Sequence, residues 1–395
     1  MSTVVLLGTL DTKGEEYAFL RDRLREHGVD VLLVDAGVHE PSVQPDIGRD
    51  ELSPDVAKLA AAGDRGAAVT AMAEGAERVV AQLHADGRLD GILALGGSGG
   101  SSIATRAMRA LPVGVPKLMV STVASGDTRP YVGAIDVTMM YSVVDISGVN
   151  RVSARIMANA AGAIAGMVGA GVPELPENPL IGASMFGVTT PCVTRARERL
   201  EEHGYEVLVF HATGAGGQSM EALARGGFLA GMLDVTTTEL ADELVGGVLS
   251  AGPERLEAAG AVGLPQVVSL GALDMVNFGP RDTVPAKFEG RNLYVHNPTI
   301  TLMRTTPDEC AELGRQLGRK LSAARGATVL FVPLKGVSMI AVEGQPFHDA
   351  AADDALFAGL HETLAPSVEV HELDTDINDP AFAVAMADRL HELIA

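Results

Sequence analysis

Near its start the chain places a short apolar run, Val4–Leu7, before a polar loop, Gly8–Gly14. A helical stretch, Glu15–His27, a stop at Gly28 and a second apolar run, Val31–Val34, follow. Two strands joined by a helix through loops this brief form a βαβ unit, and a βαβ unit forces a parallel sheet. Such a sheet needs helices on both faces, so strands and helices must go on alternating. The chain meets that demand. Asp64 is a good N-cap for a helix reaching His84, and Asn150 stands as the cap of a long helix ending near Gly169.

At an offset of 176 (200 − 24) the beginning recurs. Leu24–Val34 aligns without a gap with Leu200–Phe210, and Gly8–Gly14 falls on Ser184–Thr190. Between the halves, Gly171–Pro179 carries three prolines in nine residues and reads as a linker. A length of 395 residues also exceeds one typical core. The expected fold is α/β: two Rossmann-like domains, 1–172 and 180–395, with mostly parallel sheets and a cleft between them.

Each half carries a glycine-rich turn. The apolar run Gly91–Leu95 enters Gly96-Gly97-Ser98-Gly99-Gly100-Ser101-Ser102, and a helical pattern starts at Ile103. Strand, bare turn and helix N-terminus together make an anion site, because glycine lets backbone N–H groups approach a ligand backed by the helix dipole. A tight turn capped by serines is the alternative. Gly97–Ser102 and Gly214–Ser219 share the form G-x-G-G-x-S, and the second precedes a helix read at Met220–Arg225. A further strand ends in Thr236-Thr237-Thr238-Glu239, which offers phosphate donors or a simple capping box.

Lys13 is the best-placed phosphate lysine, with Asp11 or Asp127 as Mg²⁺ ligands and Thr12 beside them; solvated loop residues are the alternative. His211 and His296 stand at strand ends, where catalytic groups gather and where structural histidines also sit. His348, Asp349 and Glu343 match no zinc spacing. No Walker A motif, complete G-x-G-x-x-G or nucleophile elbow is present. That disfavours a P-loop ATPase, a NAD dehydrogenase and a serine hydrolase.

Composition narrows the partners. Thirty Lys and Arg against 51 Asp and Glu give a net charge of −21, which argues against a nucleic-acid or anionic-membrane surface. Any phosphate site must then be made locally. Cys192 and Cys310 form no C-x-x-C pair and suit a reducing compartment. Met1 leads straight into a strand, so no signal peptide is expected, and Ile156–Val168 reads as too short to span a bilayer. A cytoplasmic protein is expected.

Several of these motifs together resemble the ATP-binding family named after the tomato protein that confers resistance to tomato mosaic virus. The likeness is carried by Gly8–Gly14, Leu95–Ser102, Ser121–Thr128, Asp145–Asn150 and Asp274–Gly279, and it covers essentially the whole chain. It implies two Rossmann-like subdomains, bound ATP with magnesium, and a homodimer. In the tomato protein a TIM-barrel domain follows, so a separate TIM-barrel protein is a candidate partner here. The resemblance supplies no reaction. Three readings stay open: phosphoryl transfer to, or ATP-driven activation of, a small metabolite held between the domains; a non-catalytic ATP sensor; and a lyase or isomerase of a phosphorylated or carboxylate metabolite.

Overall fold

The computed structural model describes residues 2–171 and 177–395. The chain divides into two compact units, Met1–Glu174 and Leu175–Ala395. The proline-bearing segment read as a linker falls largely on 172–176, outside the described residues.

The first unit runs β1 (Thr3–Gly8), α1 (Leu10–Glu26), β2 (Asp30–Asp35), α2 (Arg49–Leu52), α3 (Val56–Ala62) and α4 (Arg65–Ala85). It continues with β3 (Gly91–Gly96), α5 (Ser98–Arg109), β4 (Lys117–Ser121), α6 (Arg129–Val132), β5 (Thr138–Tyr141) and α7 (Arg151–Gly169). All neighbouring strands pair in parallel, in the order β2-β1-β3-β4-β5. The strands read as continuous apolar runs because helices cover both faces. Met72, Val80, Ile103 and Met108 of α4 and α5 close one face. Tyr17, Leu20, Met157 and Ile164 of α1 and α7 close the other.

The second unit opens with β6 (Leu180–Met185), α8 (Thr190–Glu202), β7 (Glu206–His211), α9 (Ala215–Arg225), β8 (Gly231–Thr236), α10 (Glu239–Val245) and α11 (Ala258–Val262). After β9 (Gln266–Gly271) come β10 (Met275–Phe278), β11 (Leu293–Asn297), β12 (Ile300–Arg304) and α12 (Pro307–Ser322). It closes with β13 (Thr328–Pro333), α13 (Ala350–Thr363), β14 (Glu369–Leu373) and α14 (Pro380–Ile394). Its main sheet is also parallel, β14-β13-β9-β8-β6-β7, and β10-β12-β11 form a small antiparallel sheet. With the strands of each parallel sheet numbered among themselves, both begin 2-1-3-4-5; the second adds a sixth strand.

The caps stand where the sequence places them. Asp64 accepts from Ala67 N–H, and Asn150 from Val152 and Ser153 N–H. Three helix starts differ. Helix α1 begins at Leu10 rather than Glu15, α5 at Ser98 rather than Ile103, and α9 at Ala215 rather than Met220; in α5 and α9 glycine and serine fit the first helical turn without distorting it. Helix α7 spans 19 residues and, by length and composition, is long and apolar enough to cross a membrane. The helix has the bounds the sequence gives it, from the Asn150 cap to Gly169; only its inner run, Ile156–Val168, reads as too short. One face of this helix is nevertheless buried beside α1.

Candidate functional site

A sheet ordered 2-1-3 sends the chain leaving β1 to one face and the chain leaving β3 to the other. The carboxyl ends of these two adjacent strands therefore frame a crevice. In the first unit a cavity of about 540 Å³ opens there. Thr9, Asp11, Thr12 and Lys13 after β1 and Gly96–Gly100 after β3 form its floor and flank, and Leu59, Gly63, Arg65 and Val69 of the α3–α4 corner form the opposite wall. Tyr17 pins the floor: its hydroxyl lies 2.6 Å from the Leu7 carbonyl and 2.9 Å from the Leu95 carbonyl, and accepts from Leu95 N–H.

The glycines of this turn divide into two kinds. A Cβ on Gly96 would stand 3.0 Å from the Gly100 Cα, so packing demands glycine there. At Gly97, Gly99 and Gly100 the nearest atoms would be 3.7 to 3.8 Å away, and none has a positive φ. Nothing in the protein's own packing requires these three to lack a side chain. Glycine in a helix costs about 0.5–1 kcal/mol relative to alanine. That cost leaves the backbone bare toward the cavity. Ser101 N–H donates to the Gly97 carbonyl, whereas the N–H groups of Ser98, Gly99 and Gly100 have no protein acceptor among the described residues. Ser98 and Ser102 are exposed; Ser101 is buried, hydrogen-bonded at 2.6 Å to Ser121, and serves α5–β4 packing rather than a ligand.

The loop after β1 is more engaged than its sequence implies. Lys13 sits at a break in α1 (φ −131°, ψ 20°) and donates to the Ile146 carbonyl. Asp11 Oδ2 accepts from Val38 and His39 N–H, while its buried Oδ1 has no partner. Thr12 and Thr9 share a hydroxyl contact of 3.0 Å. The N-terminus of α1 is already occupied: the Asp35 carboxylate accepts from Leu10 and Gly37 N–H, and burial raises its pKa. The open helix terminus at the cavity is α5.

Asp127 leaves the set. It forms an exposed two-pronged pair with Arg129, which draws its pKa down to about 2, and it does not line the cavity. The acids that do line it are Asp11, Asp64 and Asp145, of which Asp64 caps α4. Arg65 and His39 escape the sequence reading, and Asp145 enters it only as the start of the Asp145–Asn150 run, not as a site residue. The one signal for Arg65 is its position directly after a helix cap.

The second glycine turn is filled by the protein itself. Gly214 and Gly217 N–H both donate to Glu239 Oε1, at 2.7 and 3.1 Å. A Cβ on Gly216 would lie 1.8 Å from the His211 carbonyl oxygen, and one on Gly217 2.1 Å from Glu239 Oε2. These glycines answer to packing, and Ser219 lies half-buried in α9 behind them. The resemblance between the two G-x-G-G-x-S turns also misleads topologically. Gly214 follows the edge strand β7, whereas Gly97 follows β3; the counterpart of the latter is the segment after β8, Thr236–Glu239.

At that counterpart position the crevice is sealed. Thr236 and Thr189 hydroxyls meet at 2.7 Å across the β6 and β8 ends, and Thr237 donates to the Ser269 carbonyl. Thr236–Glu239 are all buried. Arg255, itself buried, pairs with Asp234, Glu239 and Glu221 beneath them. Burial raises the pKa of Glu239, opposed by Arg255. Thr236, Thr237 and the Gly214–Ser219 turn are thus structural, and Glu239 binds the turn instead of closing a capping box.

The remaining candidates are dispersed. His296 is exposed on β11, with its ring 6.5 Å from Tyr294, and does not line the cavity. His211 is exposed at the end of β7, and His348 lies 3.3 Å from the Ala341 carbonyl. Among the described residues no group of three or more His, Cys, Asp or Glu is placed to hold a metal. Cys192 and Cys310 are buried, and burial pushes the Cys192 thiol up to about 12.

Comparison with known proteins covers both units. Residues 2–172 match the N-terminal domain, and residues 178–394 the C-terminal domain, of the uncharacterised protein family UPF0261. A UPF0261 protein of Clostridium tetani is 55% identical over 394 residues, with 98% of each chain covered. The ToMV resistance protein Tm-1(GCR237) of Solanum lycopersicum is 40% identical over 418 residues; the alignment takes 99% of this chain and 55% of that one. Among solved structures, a putative UDP-N-acetylglucosamine 2-epimerase from Listeria monocytogenes is 12% identical, covering 68% of this chain and 78% of that one with a TM-score of 0.25.

Proposed function

Because the chain belongs to the uncharacterised family UPF0261, we propose its function from the cavity of the first unit: it binds ATP there, in a phosphoryl-transfer or ATP-driven activation reaction on a small metabolite. The observation that supports this reading is the trio Gly97, Gly99 and Gly100, bare without any packing need at the open N-terminus of α5. A phosphate fits such a cradle, since three N–H groups converge where the helix dipole is positive. The apolar side of the cavity, with Leu59, Val69 and Ile103, suits a base.

Magnesium suits the same cavity in a different way from that first expected. Mg²⁺ binds through one or two carboxylates together with phosphate oxygens and water. The unpartnered Oδ1 of Asp11 and the exposed Asp145 would hold it, with Asp127 excluded by Arg129. When bound, the ion would neutralise phosphate charge. The residues of the chain orient the ligand: the α5 backbone fixes one phosphate, and Lys13, tethered to Ile146, holds the loop after β1 against the cavity. A sensor role is the second reading, favoured because neither Asp127 nor His296 lines the cavity.

Thermal unfolding with and without ATP and Mg²⁺, in the wild type and in Gly99→Val, tests the proposal. A ligand at about a hundred times its Kd stabilises the native state by ~2.7 kcal/mol, a shift of a few degrees for a chain this size. The variant should lose the shift; its Cβ meets nothing closer than 3.8 Å, and a circular dichroism melt without ligand checks that it folds. No shift with ATP in the wild type refutes ATP binding. A shift without hydrolysis above blank across a panel of metabolites favours the sensor.

A further inference from the structure

We propose that Arg65 makes the cavity selective for nucleotides with two or more linked phosphates, engaging the phosphate that lies beyond the one cradled by α5. This rests on the nucleotide reading of the same cavity.

Lys13, the cation singled out by sequence, has its ammonium donating to the Ile146 carbonyl. Arg65 has no hydrogen bond or ion pair from its side chain among the described residues, and it is exposed at the first position of α4. Its Nη2 lies 3.8 Å from the point where a Cβ on Gly99 would stand, directly over the open turn. An exposed guanidinium in a chain of net charge −21 has many carboxylates to choose from. This one instead faces bare backbone.

The N–H groups at one helix end suffice for a single phosphate. Each further phosphate brings added negative charge into a cavity that also holds Asp11 and Asp145, and needs a cation. Arginine is suited to that work, since its planar fork takes two phosphate oxygens at once and never loses its charge. The apolar side chains beside Arg65 on the same corner, Leu59 and Val69, place the base-binding wall and the outer cation on one α3–α4 element.

Calorimetric titration of AMP, ADP and ATP into the wild type, Arg65→Ala and Arg65→Lys tests this. Arg65 caps nothing and is exposed, so the variants should fold; circular dichroism melts check it. The wild type should tighten from AMP to ADP to ATP. Arg65→Ala should weaken ATP by about tenfold or more while leaving AMP within about twofold, and Arg65→Lys should fall between. An intact ladder in Arg65→Ala, or equal affinities in the wild type, overturns the role of Arg65 and leaves the nucleotide reading standing. Absence of binding by all three nucleotides in the wild type overturns both.

Discussion

Tyr17 shows how much a single side chain can fix. Its ring fills the space over Gly8, where a Cβ would lie 1.9 Å from the ring, and its hydroxyl ties the last residues of β1 and β3 together. The phenol is fully buried, which raises its pKa and keeps it a donor. Tyr17→Phe removes the hydroxyl and leaves Leu95 N–H without its buried acceptor. The expected loss is about 1–3 kcal/mol, read by urea denaturation. Nucleotide affinity should fall as well, because the strand ends that frame the cavity are no longer clasped.

Helix α10 illustrates the same economy one level up. Its Asp242 carboxylate accepts from Leu249 and Asn277 N–H and from the Asn277 amide, holding α10 to β10. Burial pushes its pKa up to about 7. Below about pH 4 both folded and unfolded chains are protonated at this site. Between about pH 4 and pH 7 the native chain keeps a proton that the unfolded chain releases, so this group's contribution to stability falls as pH rises through that window. Asp242→Asn should therefore shrink the loss of stability between pH 5 and pH 8 in urea titrations. An unchanged difference would assign the slope to other carboxylates.

At this scale the sequence is most informative and most deceptive. The strand–helix alternation and the caps Asp64, Asn150 and Thr306 are legible because they depend on neighbours in sequence. The opening of α5 is legible too, as glycine and serine after an apolar run. Arg65 is not, because it reaches the turn from a helix more than thirty residues away in the chain (99 − 65 = 34). Nor is Glu239: a carboxylate that fills a glycine turn twenty-five residues earlier reads, locally, as a helix cap. Lys13 does line the cavity, but the Ile146 carbonyl that takes its ammonium is brought there by folding, whereas Arg129, the partner of Asp127, stands only two residues on and is a local contact. Pattern finds what is local; occupancy is settled by tertiary contacts.

Across the whole molecule, two units built on the same strand order have opposite fates at the same place. The first leaves its crevice open, and the second stitches it shut with Thr189, Thr236 and Glu239 over buried Arg255. Ligand effects should therefore divide by unit. In hydrogen-exchange measurements with ATP and Mg²⁺, amides of 9–13 and 98–105 should gain protection while those of 214–219 and 236–239 stay unchanged. Equal protection in both units would show that the second crevice also takes ligand.

The walls of the first crevice differ in what holds them. Its floor is made of strand ends pinned by Tyr17, whereas its far wall hangs between β2 and α4 and turns on Gly63, which has φ +69° and open space around it. Heredity can exploit that difference. A lineage can lengthen, shorten or recompose residues 57–63, between the buried Val56 and the Asp64 cap, and so retune what the protein admits, without disturbing a strand. The guest can change while the host keeps its frame.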